Sequence, residues 1–288
     1  MVIHSANRQR LWGLLALLCA LALGAGPAEA ACSTTWVGGV DSNFGTAGNW
    51  STKAVPGGGD DACINATTTT NPPAVADTYS VILNGNFGVH SLTLGGPNGT
   101  QTLVLPAGNF SFSLGADTAV TANGVLTLGD SGGGFSVLAG PGPLTNSGHL
   151  NCTVGGGGVR YLRVNITNAA AGIVDIGTTT NQDQGALTTN SGTVTIEAAG
   201  NLALSSGSSF ANNAGTVSNN GTFTMNGGTF TQRAGTGLGN AVTLISSALD
   251  DDTGGRGTTS TAYSCGPGIN VEESDLQIVT STYDFRVS

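Results

Sequence analysis

A short phrase in which Asn precedes Gly, set beside a strand of alternating residues, recurs between residues 144 and 221. It reads Leu144-Thr145-Asn146-Ser147-Gly148, then Asn168 to Gly172, Asn190-Ser191-Gly192, Asn213-Ala214-Gly215 and Asn220-Gly221. A chain that returns to one phrase at strand-and-turn intervals is built by stacking like units, because each unit leaves an apolar face that only its neighbours cover. The glycines at 148, 172, 192 and 215 are 24, 20 and 23 residues apart, about one circuit of a solenoid with two or three strands per coil. The last step, six residues to Gly221, breaks any strict glycine register.

The segments between these turns alternate with a period of two. In Thr193-Val194-Thr195-Ile196, Thr222-Phe223-Thr224-Met225 and Thr229-Phe230-Thr231, the residues Val194, Ile196, Phe223, Met225 and Phe230 are expected to point inward. Upstream, the pairs Leu92/Leu94, Leu103/Leu105, Phe112/Leu114, Leu126/Leu128 and Phe135/Val137 recur every nine to fourteen residues, separated by Gly, Pro, Asn and Asp clusters. No stretch carries a capped amphipathic helical period. A hydrophobic content of 39% at regular positions opposes disorder, and 47 glycines suit a fold of many tight turns. The expected fold is all-β, a right-handed parallel β-helix, with an antiparallel β-sandwich as the alternative. Parallel strands about 4.8 Å apart would give roughly eight coils over residues 86–245 and a rod of about 40 Å.

Residues 1–30 read as an export signal. Arg8 and Arg10 precede the apolar run Leu11 to Gly24, and Ala28-Glu29-Ala30 has the small-x-small form of a cleavage site. Residues 31–85 differ from the repeats and hold Trp36 and Trp50, which suit a β cap over the exposed end of a stack. Residues 246–288 form an acidic segment expected to be partly ordered.

Removing Arg8 and Arg10 from the 8 basic residues, and Glu29 from the 17 acidic ones, leaves 6 against 16, a net charge of −10. Such a chain repels nucleic acid and anionic membranes, and no segment after the signal is apolar enough to span a bilayer as a helix. A face of Thr, Asn and Ser offers many weak hydrogen bonds, and the expected partners are glycans or cell-surface and matrix components. Four cysteines remain after the signal, Cys32, Cys63, Cys152 and Cys265, allowing three pairings in an oxidising compartment. Cys32 with Cys63 is the expected bridge because it closes the N-terminal unit. No cofactor is expected, nor a metal site, since no two cysteines are close in sequence.

The opening Trp36-Val37-Gly38-Gly39, then Gly48-Asn49-Trp50, Val55-Pro56-Gly57 with Gly59-Asp60-Asp61, Ser91-Leu92-Thr93-Leu94-Gly95-Gly96 and the Asn-Ser-Gly-Thr phrases resemble bacterial exported β-helix repeat proteins of the autotransporter-passenger and adhesin-like type. The resemblance spans residues 34–245 and implies a secreted or cell-surface bacterial protein with an adhesive or scaffolding role. Its motifs speak to architecture far more than to activity.

No catalytic residue is assigned; the alternative to an adhesive or scaffolding role is a carbohydrate-active enzyme, because parallel β-helices also include polysaccharide lyases and glycoside hydrolases. Glycoside hydrolysis needs two carboxyls about 5 to 9 Å apart. Asp60 and Asp61 are adjacent and read as a turn pair closing the cap, while Asp175 and Asp183 flank a Thr-rich loop. Arg160 and Arg163 form the one basic cluster, and a period of two sends them to opposite faces. Asp250-Asp251-Asp252-Thr253-Gly254 has the spacing of a Ca²⁺ turn without the rest of a Ca²⁺ loop. His90 and His149 show no partner in sequence, and neither a nucleophile elbow nor a phosphate loop is present. The Thr-x-Thr pairs at 193/195, 222/224 and 229/231 suggest hydroxyl arrays, yet their separations of 29 and 7 residues would not align them in one ladder.

Overall fold

The computed structural model describes residues 31–66, 77–130, 132–153 and 157–251, together with the backbone of Tyr263–Cys265 and Asn270–Glu272. The expected export signal and most of the acidic C-terminal segment lie outside the described residues. The described chain is a parallel β-solenoid of three sheets. Sheet A has eleven strands, sheet B eight and sheet C nine, and every strand pairs in parallel with one from the coil before or after it.

The chain visits the sheets in the order B, C, A. The first full coil is Tyr79–Ile82, Phe87–Val89 and Ser91–Leu94, and the eighth is Thr236–Gly239, Val242–Ile245 and Ala248–Asp251. An antiparallel sandwich is thereby replaced by the stack, since the strands meet as parallel neighbours one coil apart.

Period-two alternation sets which side chains face in. The strands Ile173–Ile176, Thr193–Ile196, Asn201–Leu204 and Thr216–Asn219 all bury their second and fourth residues. In sheet B this produces one column of apolar residues in register, with Leu103, Leu126, Leu150, Val174, Val194 and Val217 stacked coil upon coil. Near the C-terminal end Phe210, Phe223 and Phe230 fill the interior, with Phe210 and Phe230 stacked at 5.6 Å.

Sheet A carries a polar column inside this apolar core. Ile64, Leu94 and Val120 occupy the inward position in the first coils, and Asn146, Asn168, Asn190, Asn212 and Gln232 continue it. The side-chain amide of each Asn donates to the carbonyl of the next: Asn146 to Asn168 at 2.8 Å, Asn168 to Asn190 at 2.8 Å, Asn190 to Asn212 at 2.9 Å, and Asn212 to Gln232 at 3.2 Å. All five side chains are fully buried, and this head-to-tail chain, with further bonds from the amides to backbone carbonyls, pairs each of their carbonyl oxygens except Asn146 Oδ1.

The recurring Asn and Gly phrase is the outer trace of this ladder. The four Asn rungs are spaced by 22 residues without exception, whereas the following glycines drift because the corner between sheets A and B varies in length. A Cβ at Gly192 would overlap the carbonyl oxygen of Gly172 and crowd the Asn168 amide, so the corner passes too close to the coil below for any side chain. In the fourth copy Asn212, not Asn213, is the rung. Asn220-Gly221 belongs to the corner between sheets B and C, which explains its six-residue offset.

An N-terminal region with strands Thr34–Thr35 and Asp61–Ile64 precedes the array on sheet A. It closes the open end of the core with aromatic rings: Trp50 meets Trp36 edge-on at 5.3 Å and Phe44 at 5.0 Å, and Phe44 in turn contacts Phe87 and Phe112 of sheet C at 4.9 and 5.5 Å. Trp50 Nε1 donates to the Phe44 carbonyl at 2.8 Å, which leaves no buried donor unpaired on that ring. The Cys32–Cys63 disulfide ties the start of this region to its second strand, with Cα atoms 5.7 Å apart.

Candidate functional site

The segment Arg160-Tyr161-Leu162-Arg163 is a strand of sheet C, and alternation divides it as its sequence implies. Arg160 and Leu162 face the core, while Tyr161 and Arg163 face outward. The outward pair belongs to a grouping of large side chains on the outer face of sheet C. Arg163 Nε donates to Asp183 Oδ1 at 2.7 Å and Nη2 donates to Oδ2 at 2.9 Å, a bidentate pair between adjacent coils. The Asp183 carboxylate raises the Arg163 guanidinium above its ordinary pKa, chiefly through these hydrogen bonds. The Arg163 guanidinium carbon lies 4.4 Å from the centre of the Tyr161 ring, within cation–π range. Tyr161 meets Phe135 edge-on at 6.3 Å, and Phe135 is 41% exposed.

The surroundings are low and uncharged. Tyr161 stacks in register between Val137 and Asn181, with Ser111 and Ala203 one coil further out on each side. Arg163 follows Ala139, itself preceded by Ser113. Four larger groups therefore stand as a shelf on a flat parallel sheet.

Arg160 is a separate matter. It occupies an inward position, fully buried, between the small neighbours Ser136 and Thr180. Its Nε and Nη2 donate to the Thr153 carbonyl at 3.2 and 3.1 Å, and Nη1 donates to the carbonyls of Gly134 and Gly157 at 3.3 Å each. Burial lowers its pKa from the ordinary arginine value. The guanidinium serves to bind together the glycine-rich corners that surround it. Cys152 is fully buried beside it, and burial pushes its thiol up to about 12, which makes it a poor nucleophile at neutral pH.

The other acids and histidines are spread over different parts of the molecule. Asp60 Oδ2 accepts from the Gly57 amide at 2.8 Å and closes a turn. Asp61 starts the next strand, and its Oδ1 accepts from Ser91 Oγ at 2.6 Å and lies 2.8 Å from His90 Nδ1. The Ser91 hydroxyl, followed by the imidazole, holds the Asp61 carboxyl below its ordinary pKa. His90 thus has a partner that sequence reasoning missed, but Ser91 is bonded to the carboxylate, so the three do not form a nucleophile–base–acid relay. Asp175 lies on the outer face of sheet B between Asn151 and Thr195, and His149 on the same face between Val125 and Ile173. Asp250 stands beside Thr231 on sheet A and Asp251 beside Gln232, and residues 252–254 of the Ca²⁺-like turn lie outside the described residues. Asp60, Asp175 and Asp183 therefore do not converge, and the pair of facing carboxyls that glycoside hydrolysis needs is not made from them.

The three Thr-x-Thr pairs fall one to each sheet, 193/195 on B, 222/224 on C and 229/231 on A. The column that does align is one sequence reading did not pick out: Thr145, Thr167, Thr189 and Ala211, one residue per coil along the outer face of sheet A, continued in register by Thr231, which is buried. Only the register of the coils, invisible until the rungs beside it are known, reveals this column.

Among the described residues no three His, Cys, Asp or Glu side chains gather as a metal site, and no helix is long and apolar enough to cross a membrane. Comparison with protein-family models, with curated proteins and with solved structures found no match.

Proposed function

We propose that this protein is a secreted or cell-surface β-solenoid that acts by adhesion or as a structural scaffold, without catalysis, as in the bacterial exported repeat proteins it resembles. The observation that carries this reading is the outward column Thr145, Thr167 and Thr189, which repeats a short hydroxyl once per coil over three successive coils of a parallel sheet. A single hydroxyl contact contributes little in water, about 1 kcal/mol or less, so such a face gains useful affinity only through repetition against a repeating partner. Glycans and matrix polymers are partners of that kind.

Three further features support it. The Cys32–Cys63 bridge suits an oxidising compartment. Arg160, the most deeply buried cation, is spent on backbone carbonyls. Asp183, the acid nearest an aromatic shelf, is held by Arg163. A glycan array combined with a reducing-end assay on polysaccharides tests the proposal. Binding without new reducing ends or unsaturated products is expected; steady depolymerisation by the purified chain would replace the proposal with an enzymatic one.

A further inference from the structure

The shelf on sheet C has a chemistry distinct from the hydroxyl face of sheet A. We infer that Phe135, Tyr161, Arg163 and Asp183 form a binding subsite for a pyranose ring of a neutral polysaccharide. The inference rests on the adhesive reading, and it names the place and the ligand class.

Each part of the shelf matches one part of a sugar. The exposed Phe135 ring and the Tyr161 ring set edge-on to it offer apolar surface to the C–H face of a pyranose, with a polar handle at the Tyr161 hydroxyl. Arg163 retains the Nη1 hydrogens that Asp183 does not engage, and each Asp183 oxygen retains a lone pair. Donors and acceptors side by side are what neighbouring sugar hydroxyls, each both donor and acceptor, require. The bidentate bond and the ring contact at 4.4 Å fix these groups before a ligand arrives, which lowers the entropy lost on binding.

Charge selects against acidic polymers. The Arg163 and Asp183 charges cancel at the site, and the whole chain is at −9, so a uronate chain would meet repulsion without an unpaired cation to offset it. Shape selects for a polymer over a free sugar. Val137, Ala139, Asn181 and Ala203 on the neighbouring coils are short enough to let a chain run past the shelf in either direction along the stack.

Affinity electrophoresis of the purified chain in native gels containing hydroxyethylcellulose, galactomannan or polygalacturonate tests the inference. Retardation by at least one of the two neutral polymers, and none by polygalacturonate, is expected. Tyr161→Ala and Arg163→Lys should each weaken that retardation by about tenfold or more, as truncation of an aromatic or arginine anchor does. Thr195→Ala on sheet B should leave it unchanged. Phe135→Ala, at a partly exposed ring, gives a second reading that does not depend on the strand, and circular-dichroism melts of each variant report its folding. Wild-type retardation that survives Tyr161→Ala, Arg163→Lys and Phe135→Ala would overturn the subsite and leave the adhesive reading intact. Retention by polygalacturonate alone would overturn the neutral ligand class, and no retention by any polymer, with a silent glycan array, would overturn both.

Discussion

Replacing Asn190 with Leu removes the middle rung of the amide ladder, taking from Asn212 its donor and from the Asn168 amide one of its acceptors. Stranding buried polar groups costs about 1–3 kcal/mol each, so a loss of about 2–5 kcal/mol is expected in urea unfolding, against less than about 0.5 kcal/mol for Thr189→Ala on the outer face. The ladder also has an unfinished end. Asn146 Oδ1 is buried without a partner, and the residue one coil before it is Val120. Val120→Asn supplies a donor there, whereas Val194→Asn places an amide between Val174 and Val217 with nothing to bond. The first is expected to be tolerated and the second to cost about 3 kcal/mol, measured in the same denaturant series. These rungs show how far the sequence was readable. Alternation correctly separated Arg160 from Arg163 and placed Val194, Ile196, Phe223, Met225 and Phe230 inside, because a period of two is a local property. The ladder, the Arg163–Asp183 pair and the His90–Asp61 contact were not legible, because each joins residues 20 or more positions apart and depends on the register between coils.

At the scale of elements, the N-terminal cap is held by Asp41 and Asn49 as much as by its rings. Asp41 accepts from the Asn43 amide at 2.8 Å, from Asn49 Nδ2 at 2.8 Å and from Thr46 Oγ1 at 2.9 Å, while Asn49 Oδ1 accepts from the Val40 amide at 3.0 Å. The Asn43 backbone bond leads the effects that lower the Asp41 pKa below its ordinary 3.8. A carboxyl depressed on folding lends stability above its unfolded pKa and loses it as pH falls through the folded value, and Asp61 acts in the same direction. Acidification below about pH 4 should therefore loosen the cap and shift the fluorescence of Trp36 and Trp50, and Asp41→Asn should remove much of that dependence. The Cys32–Cys63 bridge spans 31 residues, and in the chain-entropy account its reduction costs about 3–4 kcal/mol, read as a drop in the urea midpoint with and without dithiothreitol. The N-terminal region was partly legible, since two tryptophans and two cysteines lie outside the repeat phrase. The use of Gly48-Asn49-Trp50 as a knot around Asp41 was not, because it is made by side-chain bonds across a loop without periodic pattern.

In the whole molecule, contacts run mainly between neighbouring coils, so stability is a sum of coil and interface terms and a local weakness need not unfold the rest. The outer faces also differ in chemistry, with hydroxyls repeated along sheet A and a ringed ion pair on sheet C, around an interior that buries Cys152. Stacking makes the register of the coils the claim on which the Thr column and the shelf both depend. Spin-label distances test it most directly, with cysteines introduced pairwise at Thr145 and Thr189 and at Thr145 and Ala211 in a Cys265→Ser background. Buried Cys152 should escape labelling. Thr189 lies two coils from Thr145 and Ala211 three, so backbone separations of about 10 and 14 Å are expected, growing in proportion to coil number. Separations that fail to grow from the first pair to the second would contradict the parallel stack.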